Sequence, residues 1–238
     1  MALPKIDTPI FTLKLPSSDG KKNIKFRPFT VKEEKILLMA AQSKGEDDDE
    51  TLDSIKQVIN NCLHTKINID ELPTYDIEYI FVNLRAKSVN NLIELTLTDD
   101  VDDQTYDVSI NIDDIEVVFD KEHNYIIKLN DNVSIMLKDP NYDIVQKISS
   151  YKQDDEGMME MVISSIDKVL VSDDEVLLMK DHTRKEQEEF VNSLSSQNMR
   201  EVEKFLTTIP KLTHTVEYTR EDGTKVEKII EGMQSFFT

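Results

Sequence analysis

The sequence has few of the residues from which catalytic and cofactor sites are usually built. It contains one cysteine, four histidines, five glycines and no tryptophan. One cysteine excludes an internal disulfide and a cysteine-based zinc site, which needs clustered ligands. The sequence has no dinucleotide fingerprint, phosphate loop or G-x-S-x-G elbow. It therefore predicts a protein that is not an enzyme, with no catalytic residue, no metal ion and no cofactor.

The few reactive side chains are not arranged as a site. No two histidines stand four positions apart, and each is isolated along the chain: His64, His123, His182 and His214. Cys62 falls within the apolar periodicity of a predicted helix. A cysteine in such a position usually packs as a small apolar residue, so we expect a buried structural thiol.

Long apolar runs and targeting signals are also missing. No stretch approaches the roughly 18 apolar residues needed to span a bilayer. The first residues, M-A-L-P-K-I-D-T-P, do not have the charged-then-apolar arrangement of a signal peptide. We expect a soluble protein without a membrane partner, made in a reducing cytoplasm.

Acidic residues are abundant, and the formal net charge is −19 with a pI of about 4.6. Such an excess repels a phosphate backbone, so direct binding to nucleic acid is disfavoured, although the sign of the charge would suit a DNA mimic. Acidic runs at residues 46–50 and 99–103 lack the ligand spacing of a calcium loop. We expect both to be solvated loops.

Residues 1–90 have the pattern of a strand pair followed by three helices. Residues 10–15 alternate and end in the turn P-S-S-D-G, and residues 24–29 can return as the second strand. Apolar residues then recur at a spacing of three and four, which predicts two helices with buried stripes. The stripes contain Leu52, Ile55, Val58, Ile59, Cys62 and Leu63, then Ile77, Ile80, Phe81 and Leu84.

The first helix of this region has the clearest start signal. Thr30 stands three residues before Glu33, the spacing of a capping box, and Pro28 keeps the preceding residue out of a helix. The helix is predicted over residues 31–43. Its unbroken I-L-L-M-A-A run leaves no polar face for contact with solvent, so we expect the helix to pack on several sides.

The rest of the chain alternates between strand and helix patterns. Residues 91–139 predict an antiparallel meander of four or five strands, since the connections are too short for crossovers. Residues 140–211 predict a helical region that includes helices at 142–151 and 156–170. Residues 212–238 predict a hairpin turning at Asp222-Gly223, followed by a tail. The predicted fold class is α+β. The four regions can also be parts of one integrated domain.

Two aromatic groups suggest a binding surface. Arg27 lies between Phe26 and Phe29, where a rigid cation beside aromatic rings can anchor a partner. The alternative is that both phenylalanines enter the core. Phe236 and Phe237 stand near the end of the sequence, and two adjacent aromatic side chains there require burial in this chain or in a neighbour.

Three blocks of sequence support a family resemblance. They are F-R-P-F-T-V-K-E-E-K-I-L-L-M-A, L-P-T-Y-D-I-E-Y-I-F-V-N-L-R-A-K-S and I-I-E-G-M-Q-S-F-F. Together they resemble the baseplate hub family of T-even-type contractile-tailed bacteriophages, which includes a hub subunit and a hub assembly catalyst. The resemblance runs from about residue 11 to residue 237 and carries no catalytic residue, because "catalyst" there means promotion of assembly.

The resemblance implies a virus-encoded, non-enzymatic protein that binds other hub and tail proteins. We expect it in the host cytoplasm during assembly. The resemblance agrees both with a protein that stays in the mature tail baseplate and with one that leaves after assembly. The matched blocks would present a preformed surface with a polar rim of Arg27, Glu33, Glu34, Arg85 and Lys87. The alternative is an acidic DNA mimic that occupies a host nucleic-acid-binding protein; acids concentrated in loops weigh against it.

Overall fold

The structure is a computed structural model that describes residues 7–18, 20–42, 48–145, 155–171 and 175–233. Helices and antiparallel sheets are both present, so the predicted α+β class is confirmed. The chain divides into two compact units, Met1–Val118 with Lys211–Thr238 and Phe119–Pro210. The first unit thus joins the N-terminal region to the C-terminal hairpin, an association that the sequence pattern did not predict.

The elements are numbered along the chain. The described strands are β1 Phe11–Lys14, β2 Asn23–Phe26, β3 Leu92–Thr98, β4 Thr105–Asn111, β5 Glu116–Val118, β6 Ile126–Lys128, β7 Val133–Leu137, β8 Ile166–Val171, β9 Glu175–Leu178, β10 Lys211–Thr219 and β11 Lys225–Glu231. The described α-helices are α1 Val31–Gln42, α2 Asp48–Cys62, α3 Thr74–Ser88, α4 Asp155–Ser165, α5 Arg184–Asn192 and α6 Ser196–Thr207.

The β1–β2 hairpin opens the first unit and is anchored to α3. Leu13 and Ile24, which face each other in the register, are both buried. Asp76, in the first turn of α3, is fully buried and accepts hydrogen bonds from the N–H and the hydroxyl of Ser17. A buried carboxylate needs such donors, so this contact fixes the hairpin turn on the start of α3.

The main core of the first unit lies between α3 and two antiparallel strand groups. β3 pairs with β4, and β10 pairs with both β11 and β5. Their inward-facing side chains form one buried cluster with the second half of α3: Val82, Ala86, Ile93, Leu95, Ile110, Ile112, Ile115, Leu212, Val216 and Ile230. The C-terminal hairpin is therefore an integral part of this core.

The second unit has a four-stranded antiparallel sheet in the order β6-β7-β8-β9. Ile135 of β7 and Ile166 of β8 pack with Val162 of α4 and with Val202 and Phe205 of α6. Helices α5 and α6 both begin with complete capping boxes. In the box that opens α5, Thr183 stands three residues before Glu186, the spacing that is typical of such a box.

The predicted meander at residues 91–139 is wrong as one continuous sheet, although two of its consecutive pairs, β3 with β4 and β6 with β7, are present. β3 and β4 form a hairpin, β5 pairs with β10 through residues 211–213, and β6 and β7 belong to the sheet of the second unit. Alternation of apolar residues reports which face of a strand is buried, but it does not report which strand lies beside it. Strands that are consecutive in the sequence therefore lie in different sheets.

The predicted helix at residues 156–170 is also too long. α4 ends at Ser165, and Ile166 begins strand β8. Residues 166–171 read I-D-K-V-L-V, and their β-branched members favour a strand, where β8 pairs with both β7 and β9. The predicted helix at 142–151 extends beyond the described residues. The acidic run at 46–50, predicted as a loop, begins outside them, and its residues 48–50 belong to the first turn of α2 instead.

Candidate functional site

Arg27 connects the end of β2 to two helices. Its backbone N–H donates to the carbonyl of Cys62, at the end of α2, at 3.0 Å. Its guanidinium donates to the carbonyl oxygens of Asn61 at 3.1 Å and Pro28 at 2.9 Å. The same group reaches both carboxylate oxygens of Glu33 in α1, at 3.1 and 3.3 Å. Because a guanidinium binds a carboxylate strongly in this two-point geometry, Arg27 fixes α1 to the end of α2.

Glu33 receives a second set of donors from its own helix start. Oε2 accepts the backbone N–H of Thr30 at 2.9 Å and the Thr30 hydroxyl at 2.7 Å, which is the carboxylate half of the predicted capping box. Glu33 is only 1% exposed. Burial by itself would raise the pKa of Glu33, but the hydrogen bonds from Arg27 and Thr30 outweigh it and lower the pKa to about 2.

Cys62 lies beside this ion pair and is buried, as predicted. Its Sγ is 3.7 Å from Nη1 of Arg27. Burial raises the pKa of the Cys62 thiol to about 11, although the charge of Arg27 acts in the opposite direction. The thiolate is the reactive form of cysteine, so this environment favours an inert thiol with a packing role.

Helix α1 exposes apolar side chains on the face opposite the Arg27–Glu33 pair. Val31 is 64% exposed, Leu38 55% and Met39 70%, whereas Ala40 is buried with Glu33 on the inner face. The expectation that α1 packs on several sides is therefore wrong, because the helix buries only one face. We call the exposed residues Val31, Leu38 and Met39 the α1 stripe.

Two residues of the predicted partner-binding set are buried inside the first unit. Phe26 is 3% exposed and forms an isolated β-bridge with Leu63, and Glu33 is held by Arg27. Their assignment to the binding surface is corrected, since side chains buried in the fold are not displayed to a partner. Phe29 is half-buried, and its N–H donates to the Ser88 hydroxyl at 2.9 Å, which joins the start of α1 to the end of α3.

The other predicted binding residues have different surroundings. Glu34 is exposed on α1 beside the α1 stripe. Arg85 is half-buried in α3, and burial lowers its pKa. Lys87 is exposed, with Nζ 3.8 Å from Oδ1 of Asp113. Phe236 and Phe237 lie outside the described residues.

The acidic run at 99–103 contains a buried ion pair that sequence reasoning missed. Asp99 is 1% exposed, and Arg220 donates to its two carboxylate oxygens at 2.9 and 3.0 Å. The Tyr218 hydroxyl and the Val101 N–H also donate to this carboxylate. Arg220 first, and Tyr218 next, hold the pKa of Asp99 well below its usual range. The predicted solvated loop is thus attached to the C-terminal hairpin.

Three polar side chains of the second unit lie in a row, with His123 at the centre. Its ring nitrogens lie 3.1 Å from Oδ1 of Asp139 and 3.0 Å from the hydroxyl oxygen of Thr208. A carboxylate, an imidazole and a hydroxyl in line can activate a nucleophile. Here, however, the Thr208 hydroxyl donates to the Lys204 carbonyl at 2.8 Å, so the row connects the His123 loop to the end of α6.

Two further observations on the described residues concern metal binding and membrane-spanning helices. No group of three or more histidine, cysteine, aspartate or glutamate side chains among them is placed to hold a metal ion. In the same part of the chain, no helix combines the length and apolar character needed to cross a bilayer.

Comparison with protein-family models gives a match over residues 8–238 to the family described as T4 bacteriophage base plate protein. The chain belongs to this family. No curated protein and no solved structure matches the chain. The match covers both compact units, and it confirms the resemblance to T4-type baseplate proteins that the three sequence blocks indicated. As a baseplate protein, the chain has a structural or assembly role in the phage tail.

Proposed function

We propose that this baseplate protein acts without enzymatic chemistry in assembly of the central hub, by binding and positioning other baseplate and tail proteins. It would do so in the host cytoplasm, before or during completion of the baseplate. Family membership supports the baseplate setting. The α1 stripe is the single structural observation that carries the proposal of partner binding.

The α1 stripe has the character of a protein-binding surface. Three apolar side chains on one short helix are more than half exposed, and Glu34 and Lys35 between them are exposed charged residues. Clustered exposed apolar residues with polar neighbours typically mark a surface that another protein covers. Burying one leucine or methionine side chain contributes roughly 1.5–3 kcal/mol, so two such residues can dominate a modest interface.

The Arg27–Glu33 pair explains how this surface would be held ready for a partner. Arg27 links α1 to the end of α2, and Phe29 links the start of α1 to α3. A helix fixed before binding loses little conformational entropy on binding, which favours affinity. Arg27 and Glu33, two residues of the predicted polar rim, thus support the surface from inside, while Glu34 of the same rim is exposed beside it.

The charge of the protein favours basic partners. A net charge of −19 keeps the free protein soluble and steers it toward positively charged surfaces. Partner association should therefore slow as the salt concentration rises, while the dissociation rate, which depends on apolar contacts, should change less.

The proposal can be tested with purified protein and the other baseplate proteins of the same phage, each prepared singly. Co-elution identifies the partner, and titration calorimetry then compares wild type with Met39→Glu and Leu38→Glu. Loss of about 2 kcal/mol in each variant would weaken binding about thirtyfold. Met158→Glu is the matched control, since Met158 is a half-exposed methionine on α4 of the other unit.

Two results would contradict the proposal. One is that no baseplate protein co-elutes with the wild-type chain while phage lacking the gene build normal tails. The other is that a partner binds but Met39→Glu, Leu38→Glu and Met158→Glu all bind it equally. Mass spectrometry of purified tails would then separate a resident subunit from an assembly factor that leaves.

A further inference from the structure

One face of the four-stranded sheet in the second unit packs against helices. Ile127, Ile135, Val169 and Leu177 are opposite one another across the four strands. All four belong to, or pack against, the apolar cluster formed with α4, α5 and α6. Successive side chains of a strand point to opposite faces of a sheet. The residues between these four therefore lie on the other face, which we call the outer face.

The register arranges the outer face in two rows that cross the four strands. The first row is Ile126, Met136, Lys168 and Leu178, and the second row is Lys128, Ser134, Leu170 and Val176. None of their apolar members belongs to the cluster on the helix side. Ile126 is 47% exposed and Val176 is 55% exposed, and they lie on the two edge strands, β6 and β9. Apolar side chains thus face solvent at both sides of the outer face.

The composition of the outer face is unusual for a solvated surface. Five of its eight positions are apolar, and none of the eight carries a carboxylate, although the chain has 47 acidic residues. The solvated face of an antiparallel sheet normally presents polar side chains. A contiguous apolar group with exposed members is typical of a surface that another protein covers.

The charged side chains on the outer face are two lysines. Nζ of Lys128 is 2.9 Å from Oδ1 of Asp131, and Nζ of Lys168 is 3.6 Å from Oδ2 of Asp167. Both pairs are partly or fully open to solvent, and such pairs contribute little to stability, so each lysine can turn to another carboxylate. The outer face is therefore complementary to an apolar surface that has carboxylates beside it.

The dimensions of the outer face match one α-helix. Neighbouring strands lie about 4.8 Å apart, so four strands span about 14 Å, and residues two apart in a strand are separated by about 7 Å. An α-helix with its side chains is about 10 Å wide, and ten residues extend about 15 Å. One helix therefore covers both rows, whereas a further sheet, with strands of about 17–20 Å, would extend beyond them.

We propose that the outer face binds an acidic amphipathic helix of another baseplate protein. The apolar stripe of this helix would cover the two rows, and its carboxylates would pair with Lys128 and Lys168. The inference rests on the proposed function, because it takes the partner from the baseplate. It adds a second binding surface to the α1 stripe, in the other compact unit, and so makes the protein a link between two binding events.

A second copy of this chain is a poor occupant. Two outer faces placed together would bring Lys128 and Lys168 against the same lysines of the copy. Helix α1 of a copy also fits badly, because its exposed charges beside the α1 stripe are Lys32, Glu34 and Lys35, two cations to one carboxylate. Light scattering should therefore show no dimer that Val176→Glu dissociates. Such a dimer would overturn the assignment of the occupant.

The probes are the other baseplate proteins of the same phage, each purified singly. A protein that co-elutes with the wild-type chain is titrated by calorimetry against wild type, Val176→Glu and Ile126→Glu. Both variants should weaken binding about tenfold or more, because each removes an apolar contact and adds a charge that repels an acidic helix. Val101→Glu is the matched control and should bind as wild type, since Val101 is a 75% exposed valine of the other unit.

Lysine variants test the charge of the occupant. Lys168→Gln should weaken binding about two- to fivefold and reduce the dependence of the affinity on salt. Lys185→Gln is the control, since Lys185 lies on α5 of the same unit and forms an exposed pair with Glu189. Equal affinity and equal salt dependence in the two variants would overturn the assignment of an acidic partner.

Amide hydrogen exchange of the wild-type complex identifies the bound segment without any variant. The partner should be protected over about ten residues or more, with apolar residues at a spacing of three and four and an excess of carboxylates. In the wild-type chain, the methyl resonances of Ile126 and Val176 should shift when the partner is added. A protected segment that is basic, or that lacks the helical spacing, would overturn the proposal.

The outcomes separate this inference from the proposed function. If Met39→Glu weakens binding of a baseplate protein while Val176→Glu and Ile126→Glu bind every such protein as wild type does, the outer face is not a binding surface and the proposed function stands. If no baseplate protein binds the wild-type chain, both fail.

Discussion

Arg220 holds Asp99 through two hydrogen bonds of 2.9 and 3.0 Å, although 121 positions separate the two residues in the sequence. The pair joins the loop after β3 to the C-terminal hairpin of β10 and β11. Lys228 reinforces the same junction by donating to the carbonyl of Thr98 at 2.9 Å. The closure of the first unit therefore depends on polar contacts as well as on its apolar core.

Replacing Arg220 with alanine should lower the melting temperature by several degrees, because it leaves the carboxylate of Asp99 buried without its cation. Thermal unfolding followed by circular dichroism measures the effect. Lys211→Ala is the control, since Lys211 and Glu231 form an exposed ion pair on the same hairpin and such pairs contribute little. Equal changes in the two variants would argue against a buried pair.

The stability of the first unit should depend on pH through Glu33. Its pKa is about 2 in the folded protein and 4.5 ordinarily. Because the folded value is the lower one, the stabilisation is fully present above about pH 4.5 and is lost as the pH falls toward 2. Urea unfolding should therefore show a difference between wild type and Glu33→Gln that is large near neutral pH and shrinks in acid. Glu34→Gln, on the exposed face of α1, should show no such trend.

The Cys62 thiol should resist alkylation in the native protein. It is 1% exposed and its pKa is raised to about 11, so little thiolate is present or accessible near neutral pH. Iodoacetamide labelling followed by mass spectrometry should be slow in buffer and complete in urea. Native labelling as rapid as that of the unfolded chain would contradict the buried environment beside Arg27.

Truncation should distinguish core residues from surface residues in the N-terminal block. Phe26→Ala should reduce the free energy of unfolding by about 3–5 kcal/mol, because Phe26 is 3% exposed. Leu38→Ala should change it by less than about 0.5 kcal/mol, since Leu38 is 55% exposed. Urea titration measures both. A comparable cost at the two positions would mean that the α1 stripe is packed in solution.

Features that depend on neighbouring residues were predictable from the sequence. The capping contact between Thr30 and Glu33 follows from their spacing, and the buried stripe of α2 follows from its three-four periodicity. The hairpin of β10 and β11 follows from Asp222-Gly223, where Gly223 adopts a left-handed φ of +86°. In each case one local interaction decides the structure.

Features that depend on distant residues were not predictable. Arg27 was placed on a binding surface because its sequence neighbours are aromatic, but its partners include Asn61 and Cys62 at the end of another helix. Nothing near Asp99 indicates Arg220. The pairing of β5 with β10 was also unpredictable, because alternation of apolar residues does not specify strand partners. Only the tertiary structure shows which residues are buried and which strands pair. The position of the candidate site therefore also depends on it.

The pairing of β5 with β10 sets the order in which this protein can be completed during synthesis. The ribosome makes β3, β4, β5 and then the whole second unit before residues 211–231 exist. Leu212, Val216 and Ile230 complete the apolar cluster against α3, so that cluster stays open until the last strands emerge. Because all its residues precede Lys211, the second unit can fold before the first unit is complete. A released chain truncated after Pro210 would present an unfinished first unit to chaperones and proteases.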